Sequence, residues 1–129
     1  LLRDNRCVLF ADAFFEWSDA ELLAGRPKRA GRYQLTGRRL MPLAAIYSPV
    51  HIEGNSVMTV SVVTAEPNAQ LGSLPHHRMP AILLGADLAK WLDPENSEPE
   101  AALHATPGEE IDAEVVPAGR YRELVQIGR

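Results

Sequence analysis

The sequence predicts an α+β, mainly β domain: a partly closed, barrel-like antiparallel or mixed sheet carrying short peripheral helices. Three observations lead there. Most apolar stretches are short, rich in Val, Ile, Phe and Tyr, and bounded by Gly, Pro, Asn or charge clusters, which is how strands read. Helical signals are few and brief. The 129 residues, 46% hydrophobic and 23% charged, suffice for one packed core and fit neither whole-chain disorder, collagen nor a coiled coil.

Taken in order, strands are expected near Cys7–Ala11, Phe14–Trp17, Arg32–Thr36, Pro42–Tyr47, Val57–Thr64, Ala81–Leu83 and Ala113–Val116. The segment Ser18–Gly31 ends in GRPKRAG and reads as a hairpin loop; His51–Asn55, with Gly54 and Asn55, reads as a second turn. Both tips should be exposed. Three short helices are expected: Pro67–Leu71, which opens with proline; Ala86–Leu92, with Asp87 near its start; and Pro99–His104, with Ser97 as a cap. Seven strands in this length favour a barrel or sandwich over alternating βαβ units.

Charge is unevenly spread. Residues 1–84 carry nine basic and seven acidic side chains, whereas residues 85–129 carry four basic and ten acidic. Between 22 and 41 lie Arg26, Lys28, Arg29, Arg32, Arg38 and Arg39 with no acid among them. Such a run forms either a solvated hairpin or a local positive surface, and the eleven arginines suit bidentate phosphate contacts. No apolar run approaches the roughly 20 residues that span a bilayer, and LLRDNR is charged where a signal peptide is apolar. A cytoplasmic protein without membrane contact is expected. The single cysteine, Cys7, excludes an intramolecular disulfide and reads as a small buried hydrophobe.

Two stretches could carry chemistry. In RCVLFADAFFEW, strand alternation puts Phe14 and Glu16 on one face and Phe15 and Trp17 on the other. A carboxyl among apolar neighbours loses solvation and becomes a proton donor and acceptor near neutral pH. Alternation alone favours the wet face of an edge strand for Glu16. In LPHHRMPAIL, His76, His77 and Arg78 crowd a turn before a strand, where imidazole can move protons and guanidinium can hold phosphate. Adjacent histidines also raise the question of metal, but successive strand side chains diverge, and His51 and His104 are distant in sequence. No metal and no cofactor are expected. Trp91 sits at helical spacing to Leu88 and Leu92 and reads as core, whereas Trp17, beside Glu16, could stack an exposed base.

In order and separation these segments resemble the SRAP family, the SOS response-associated peptidases that process abasic sites in DNA. The family's R-C-[LI]-x-P-A-D-G-[FW]-[YF]-E-W pattern is similar to RCVLFADAFFEW (Arg6 to Trp17). Its K-x-P-[YF]-x-[IV] region resembles Arg32-Tyr33-Gln34-Leu35, and the following hydrophobic strand resembles MPLAAIYS (Met41 to Ser48). The T-x-x-A/P-N element resembles VSVVTAEPN (Val60 to Asn68), and H-[DE]-R-M-P-x-[IV]-L resembles HHRMPAIL (His76 to Leu83). The likeness is close over about residues 5–92 and loose in the acidic tail.

The resemblance implies that residues 1–129 form a single SRAP-like domain lacking its N-terminal segment. The implied activity is binding of single-stranded DNA and covalent crosslinking to an abasic site through an N-terminal cysteine, with autoproteolytic peptidase activity. Glu16 and His76 are then the catalytic pair, the first moving protons and the second meeting the opened sugar. Arg78, Trp17 and Thr64 are the expected DNA-binding residues. The partner is single-stranded DNA containing abasic sites, and the protein is expected to act as a monomer. Departures are Ala13 for glycine, His77 for an acid, and Ala118 to Tyr121 where a V-N pair stands in the family. Leu1 offers an amine without a thiol, and Cys7 belongs to the R-C element. Two alternatives stay open on the residues alone: a noncovalent single-strand binding module, and a metal-dependent hydrolase using His76, His77 and Glu16.

Overall fold

The computed structural model describes residues 2–18, 29–68, 78–116 and 120, without the side chains of Trp17, Ser18, Arg29 and Arg38. In chain order the elements are β1 (Arg6–Ala11), β2 (Phe14–Ser18), β3 (Arg29–Leu35), β4 (Met41–Ile52), β5 (Asn55–Val62), β6 (Thr64–Ala65), β7 (Met79–Pro80), α1 (Ala86–Leu92) and β8 (Ile111–Val116). Single 3-10 turns cover Thr36–Arg38, Pro99–Ala102 and Gly108–Glu110. The strands pair as β1-β4-β5, β2-β3-β8 and β6-β7, every pair antiparallel. The molecule is mainly β, as expected. Closure into a barrel is not among the pairings of the described residues. No helix among those residues is long and apolar enough to cross a membrane.

β4 organises the interior because it is apolar on both faces. Met41 and Leu43 join Tyr33, Leu35 and Ile111 of the β2-β3-β8 sheet, together with Met79 and Ile82, in one buried cluster. Ala44 points the other way and joins Trp91 of α1, with Ala65, Ala81, Leu83 and Ala102, in a second. Alternation along one strand thus faces one sheet on one side and a helix on the other. Trp91, fully buried, donates its indole N–H to the Cys7 carbonyl at 2.9 Å, so the polar edge of a large apolar side chain is satisfied. The expectation that Trp91 is core holds. Cys7 itself is half-buried, and burial pushes its thiol pKa up.

Several boundaries differ from expectation, each for a pairing reason. β4 runs on to Ile52, so His51–Asn55 is not a turn throughout: Ile52 pairs with Asn55, and the turn is Glu53-Gly54 alone. Both turn residues have positive φ (49° and 82°), the geometry whose twist suits a two-residue hairpin. β3 begins at Arg29 rather than Arg32, because Ala30 is buried and pairs with Trp17 on one side and Val116 on the other. Residues 19–28 of the expected loop lie outside the described residues.

The single strand expected at Val57–Thr64 divides at Val63: its N–H still bonds the Ala44 carbonyl opposite it, but the Ala44 N–H turns away to the Ala81 carbonyl. Ala81–Leu83 is not a ladder but one bridge, Ile82 to Leu43. Its backbone bonds alternate between neighbours, Ala81 N–H to Val63 and Leu83 N–H to Pro42. α1 forms over Ala86–Leu92 as expected. Pro99–His104 is instead a 3-10 turn ending at Ala102, and Ser97 does not cap it: Glu98 holds the cap position, and its N–H bonds Asn96 Oδ1. Of the expected helix Pro67–Leu71, Pro67 and Asn68 are not helical and the remainder lies outside the described residues.

Candidate functional site

Glu16 is placed by the β2–β3 register. It pairs with Gly31, and Phe14 pairs with Tyr33, so these four positions share one face of the sheet. The Phe14 and Tyr33 rings stack at 5.1 Å with an interplanar angle of 17°. Tyr33 is 8% exposed and belongs to the cluster of Leu35, Met41, Leu43 and Met79, against which Phe14 also packs. Its ring lies back across Gly31: a Cβ there would stand 2.6 Å from the tyrosine oxygen and 2.7 Å from Cε2. Only glycine admits that approach. Burial, and after it the negative charge of Glu16, hold the Tyr33 phenol above its ordinary pKa. Glu16 is half-buried on the aromatic face rather than on a wet one, even though β2 is an edge strand.

Arg78 is placed by the short β6–β7 pair, in which Thr64 faces Pro80 and Ala65 faces Met79. Its guanidinium donates from Nε to Thr64 Oγ1 (3.2 Å), from Nη2 to the Thr64 carbonyl (2.8 Å) and from Nη1 to Glu66 Oε1 (2.9 Å). The two charged side chains are open to water, Arg78 at 49% and Glu66 at 82% exposure. Met79, next in the chain, is fully buried in the cluster that holds Tyr33 and Phe14. One apolar core therefore supports the sheet bearing Glu16 and the short strand that Arg78 precedes. Thr64 and Arg78, each expected to contact DNA, lie in hydrogen-bond contact.

The remaining expected site residues fall elsewhere. His76 and His77 lie outside the described residues, and of Trp17 only the backbone is described, paired with Ala30. Among the described residues no three His, Cys, Asp or Glu side chains gather in a way that could hold a metal. Of the cationic run, Arg39 pairs with Glu110 at 2.8 Å, and Arg32 faces Glu114 across β3–β8. Acids of the tail thus fold back on the basic segment. Sequence reasoning did not find the Tyr33–Gly31 packing or the Glu66 contact. The first had a signal: in Gly-Arg-Tyr, two residues spaced by two on a strand share a face, and the small one makes room for the large.

Comparison with known proteins agrees with this architecture. A family model described as "SOS response associated peptidase (SRAP)" matches residues 1–119. The "Abasic site processing protein YoqW" of Bacillus subtilis (strain 168) is 33% identical over 100 residues, covering 77% of this chain and 43% of that protein. The "Abasic site processing protein HMCES" of Gallus gallus is 30% identical over 110 residues, covering 72% of this chain and 32% of that protein. This chain spans less than half the length of either. Among solved structures, a protein from Bacteroides thetaiotaomicron superposes with a TM-score of 0.80 at 25% identity, over 94% of this chain and 53% of the other. One from Bordetella bronchiseptica gives 0.72 at 18% identity, over 90% of this chain and 56% of the other.

Proposed function

The chain belongs to the SOS response associated peptidase family, and on that premise we propose that it carries the proton-transfer and phosphate-binding portion of a protein that processes abasic sites in single-stranded DNA. The observation that carries this reading is the pairing of a half-buried carboxyl, Glu16 beside Phe14 and Tyr33, with an exposed Arg78–Thr64 contact on the same apolar core. A carbonyl addition needs the first and a DNA backbone the second.

In the proposed reaction a cysteine bearing a free α-amine, which these 129 residues do not supply at Leu1, attacks the aldehyde of the ring-opened abasic sugar. The amine adds to the carbonyl and water leaves, forming an imine. The thiol sulfur then adds to the imine carbon and its proton passes to nitrogen, closing a thiazolidine. Addition, dehydration and reversal each move a proton, and Glu16 is the group assigned to that work, with His76 meeting the opened sugar. The same carboxyl would serve the hydrolysis of the peptide bond that frees the cysteine. Arg78 and Thr64 take a backbone phosphate, and Trp17 stacks beside the gap, since a baseless site offers no base edge to read. The reading needs no metal or cofactor, and it takes the protein to work as a cytoplasmic monomer, a single SRAP-like domain completed by residues outside this chain.

The test is adduct formation on an abasic oligonucleotide, followed on a denaturing gel, in the intact protein and its Glu16→Gln variant. The variant should form adduct about a hundredfold more slowly while binding the strand as tightly as the parent. Equal rates would take Glu16 out of the chemistry. Equal affinity for abasic strands and for an unrelated polyanion at matched salt would end the abasic-site reading altogether. Tight binding with no adduct would point to the noncovalent module.

A further inference from the structure

The geometry points to Tyr33 as a positioning residue for Glu16, its hydroxyl lying over Gly31, the residue paired with that glutamate. The inference rests on the reading above, that Glu16 moves protons, and adds to it the group that fixes the carboxyl's orientation. Gly31 is the direct cross-strand partner of Glu16. Directly opposed Cβ positions in an antiparallel pair lie about 5 Å apart, and the Tyr33 oxygen is 2.6 Å from where a Gly31 Cβ would be. The hydroxyl therefore lies no more than about 8 Å from the Glu16 Cβ, close to the span of a glutamate side chain plus one hydrogen bond.

Its own position is fixed. Phe14 stacks on the ring, the core cluster encloses it, and 8% exposure leaves little room to turn. A phenol in such a place is a donor rather than an acceptor of charge: burial, and then Glu16, both disfavour its ionisation, so the proton stays on the oxygen. A phenol O–H donating to one carboxylate oxygen would hold the other in a single orientation for the reacting atoms. Orientation matters here because a misplacement of about 1 Å can cost about a hundredfold in rate.

The arrangement also gives Gly31 and Phe14 a shared purpose. The glycine makes space for the ring to lie over its strand, and the phenylalanine keeps it there. A tyrosine needed only for apolar filling would be equally served by phenylalanine, which leaves the same ring on the same stack.

The experiment uses the intact protein and compares Tyr33→Phe and Gly31→Ala with the parent and with Glu16→Gln. Adduct formation on an abasic strand is measured in single turnover. Binding is measured separately on a strand carrying a tetrahydrofuran abasic analogue, which has no aldehyde to react. Tyr33→Phe should slow adduct formation by about tenfold, leave affinity for the analogue within about twofold, and keep the parent's thermal midpoint. Gly31→Ala, whose methyl drives the hydroxyl away, should show the same split between rate and affinity even if its midpoint falls. A Tyr33→Phe protein reacting at the parental rate overturns the inference, and so does one losing rate and affinity in parallel. If the parent forms no adduct, or Glu16→Gln is as fast as the parent, the underlying reading falls and this inference with it. A slow Glu16→Gln beside an unchanged Tyr33→Phe removes Tyr33 alone.

Discussion

Arg6 and Arg78 stand in two motif-like segments and carry the same guanidinium, yet the structure uses them in opposite ways. Among the described residues Arg6 bonds to main chain: Nε donates to the Trp91 carbonyl, Nη1 to those of Leu2 and Arg3, and Nη2 to that of Asp93 at 2.6 Å. Its guanidinium also lies 5.8 Å from the centroid of the Trp91 ring. Trp91 and Asp93 end α1, where carbonyls lack intrahelical partners, and a cation there satisfies them and complements the helix dipole. None of these acceptors can leave without unwinding the chain. Arg78 has one fixed acceptor, the Thr64 carbonyl; the others are a threonine hydroxyl and the 82%-exposed carboxylate of Glu66, which can rotate into water. An arginine held by backbone is structural, and one held by a displaceable acid is available to an anion. On the proposed reading, the identity of the acceptors rather than the residue type separates the two arginines.

The largest expected effect tests the structural half of that contrast. Arg6→Ala leaves helix-end carbonyls unpaired and uncovers one face of Trp91, and should lower unfolding free energy by about 2–4 kcal/mol in a denaturant titration. Strand affinity of the folded protein should be unchanged. A fully stable Arg6→Ala protein that has lost DNA affinity would invert the comparison.

The other half predicts a change in binding without a change in fold. Arg78→Ala should weaken single-strand binding about five- to thirtyfold and flatten the log–log salt dependence by about 0.7, the share of one phosphate. Its stability should move by less than about 0.5 kcal/mol, because an exposed ion pair contributes little. Glu66→Gln sharpens the point with the opposite sign. Removing the competing charge should raise affinity about two- to threefold, an amount in keeping with an exposed pair. A loss instead would make Glu66 a support that aims the guanidinium rather than a competitor for it.

How far these assignments were legible depends on whether the information was local. α1 could be read because Leu88 and Trp91 recur at helical spacing within one short segment. Strand alternation puts Glu16 on the face of Phe14 but does not tell whether that face meets the core or water. Strand ends could not be read: apolar alternation in β4 fades beyond Tyr47, but the strand persists to Ile52 because β5 returns alongside it through a two-residue turn. GRPKRAG reads as loop by composition, yet its last residues are held in β3 by neighbours on both sides. Ala81–Leu83 has a strand's residues but bonds to two neighbours in turn, which no single-segment pattern encodes. Glu66 meets Arg78 only through β6–β7 pairing across the residues between them. Tyr33 over Gly31 needed the β2–β3 register before its relation to Glu16 had meaning.

The smallest expected effect lies at the opposite end of α1 from Arg6 and asks whether a side-chain acceptor can matter structurally at all. There His104 Nε2 meets Asp87 Oδ2 at 2.7 Å, in the helix's first turn. The imidazole pKa is raised, first by a bond to the Ala105 carbonyl and then by Asp87, against burial and Lys90, which lower it. A raised folded-state value means that the folded protein binds the proton more tightly than the unfolded chain. The contribution is therefore fully present below the ordinary imidazole value of about 6.5, and it is lost as pH rises through the folded-state value. Since the histidine side chain is 55% exposed, solvent screening limits the effect to about 0.5 kcal/mol or less. Thermal midpoints of parent and His104→Gln should differ by about 2 °C at pH 5.5 and converge by pH 8. A gap that widens with pH would mean that the neutral ring is the stabilising form, with Asp87 accepting from it as an ordinary hydrogen-bond partner rather than pairing with a charge.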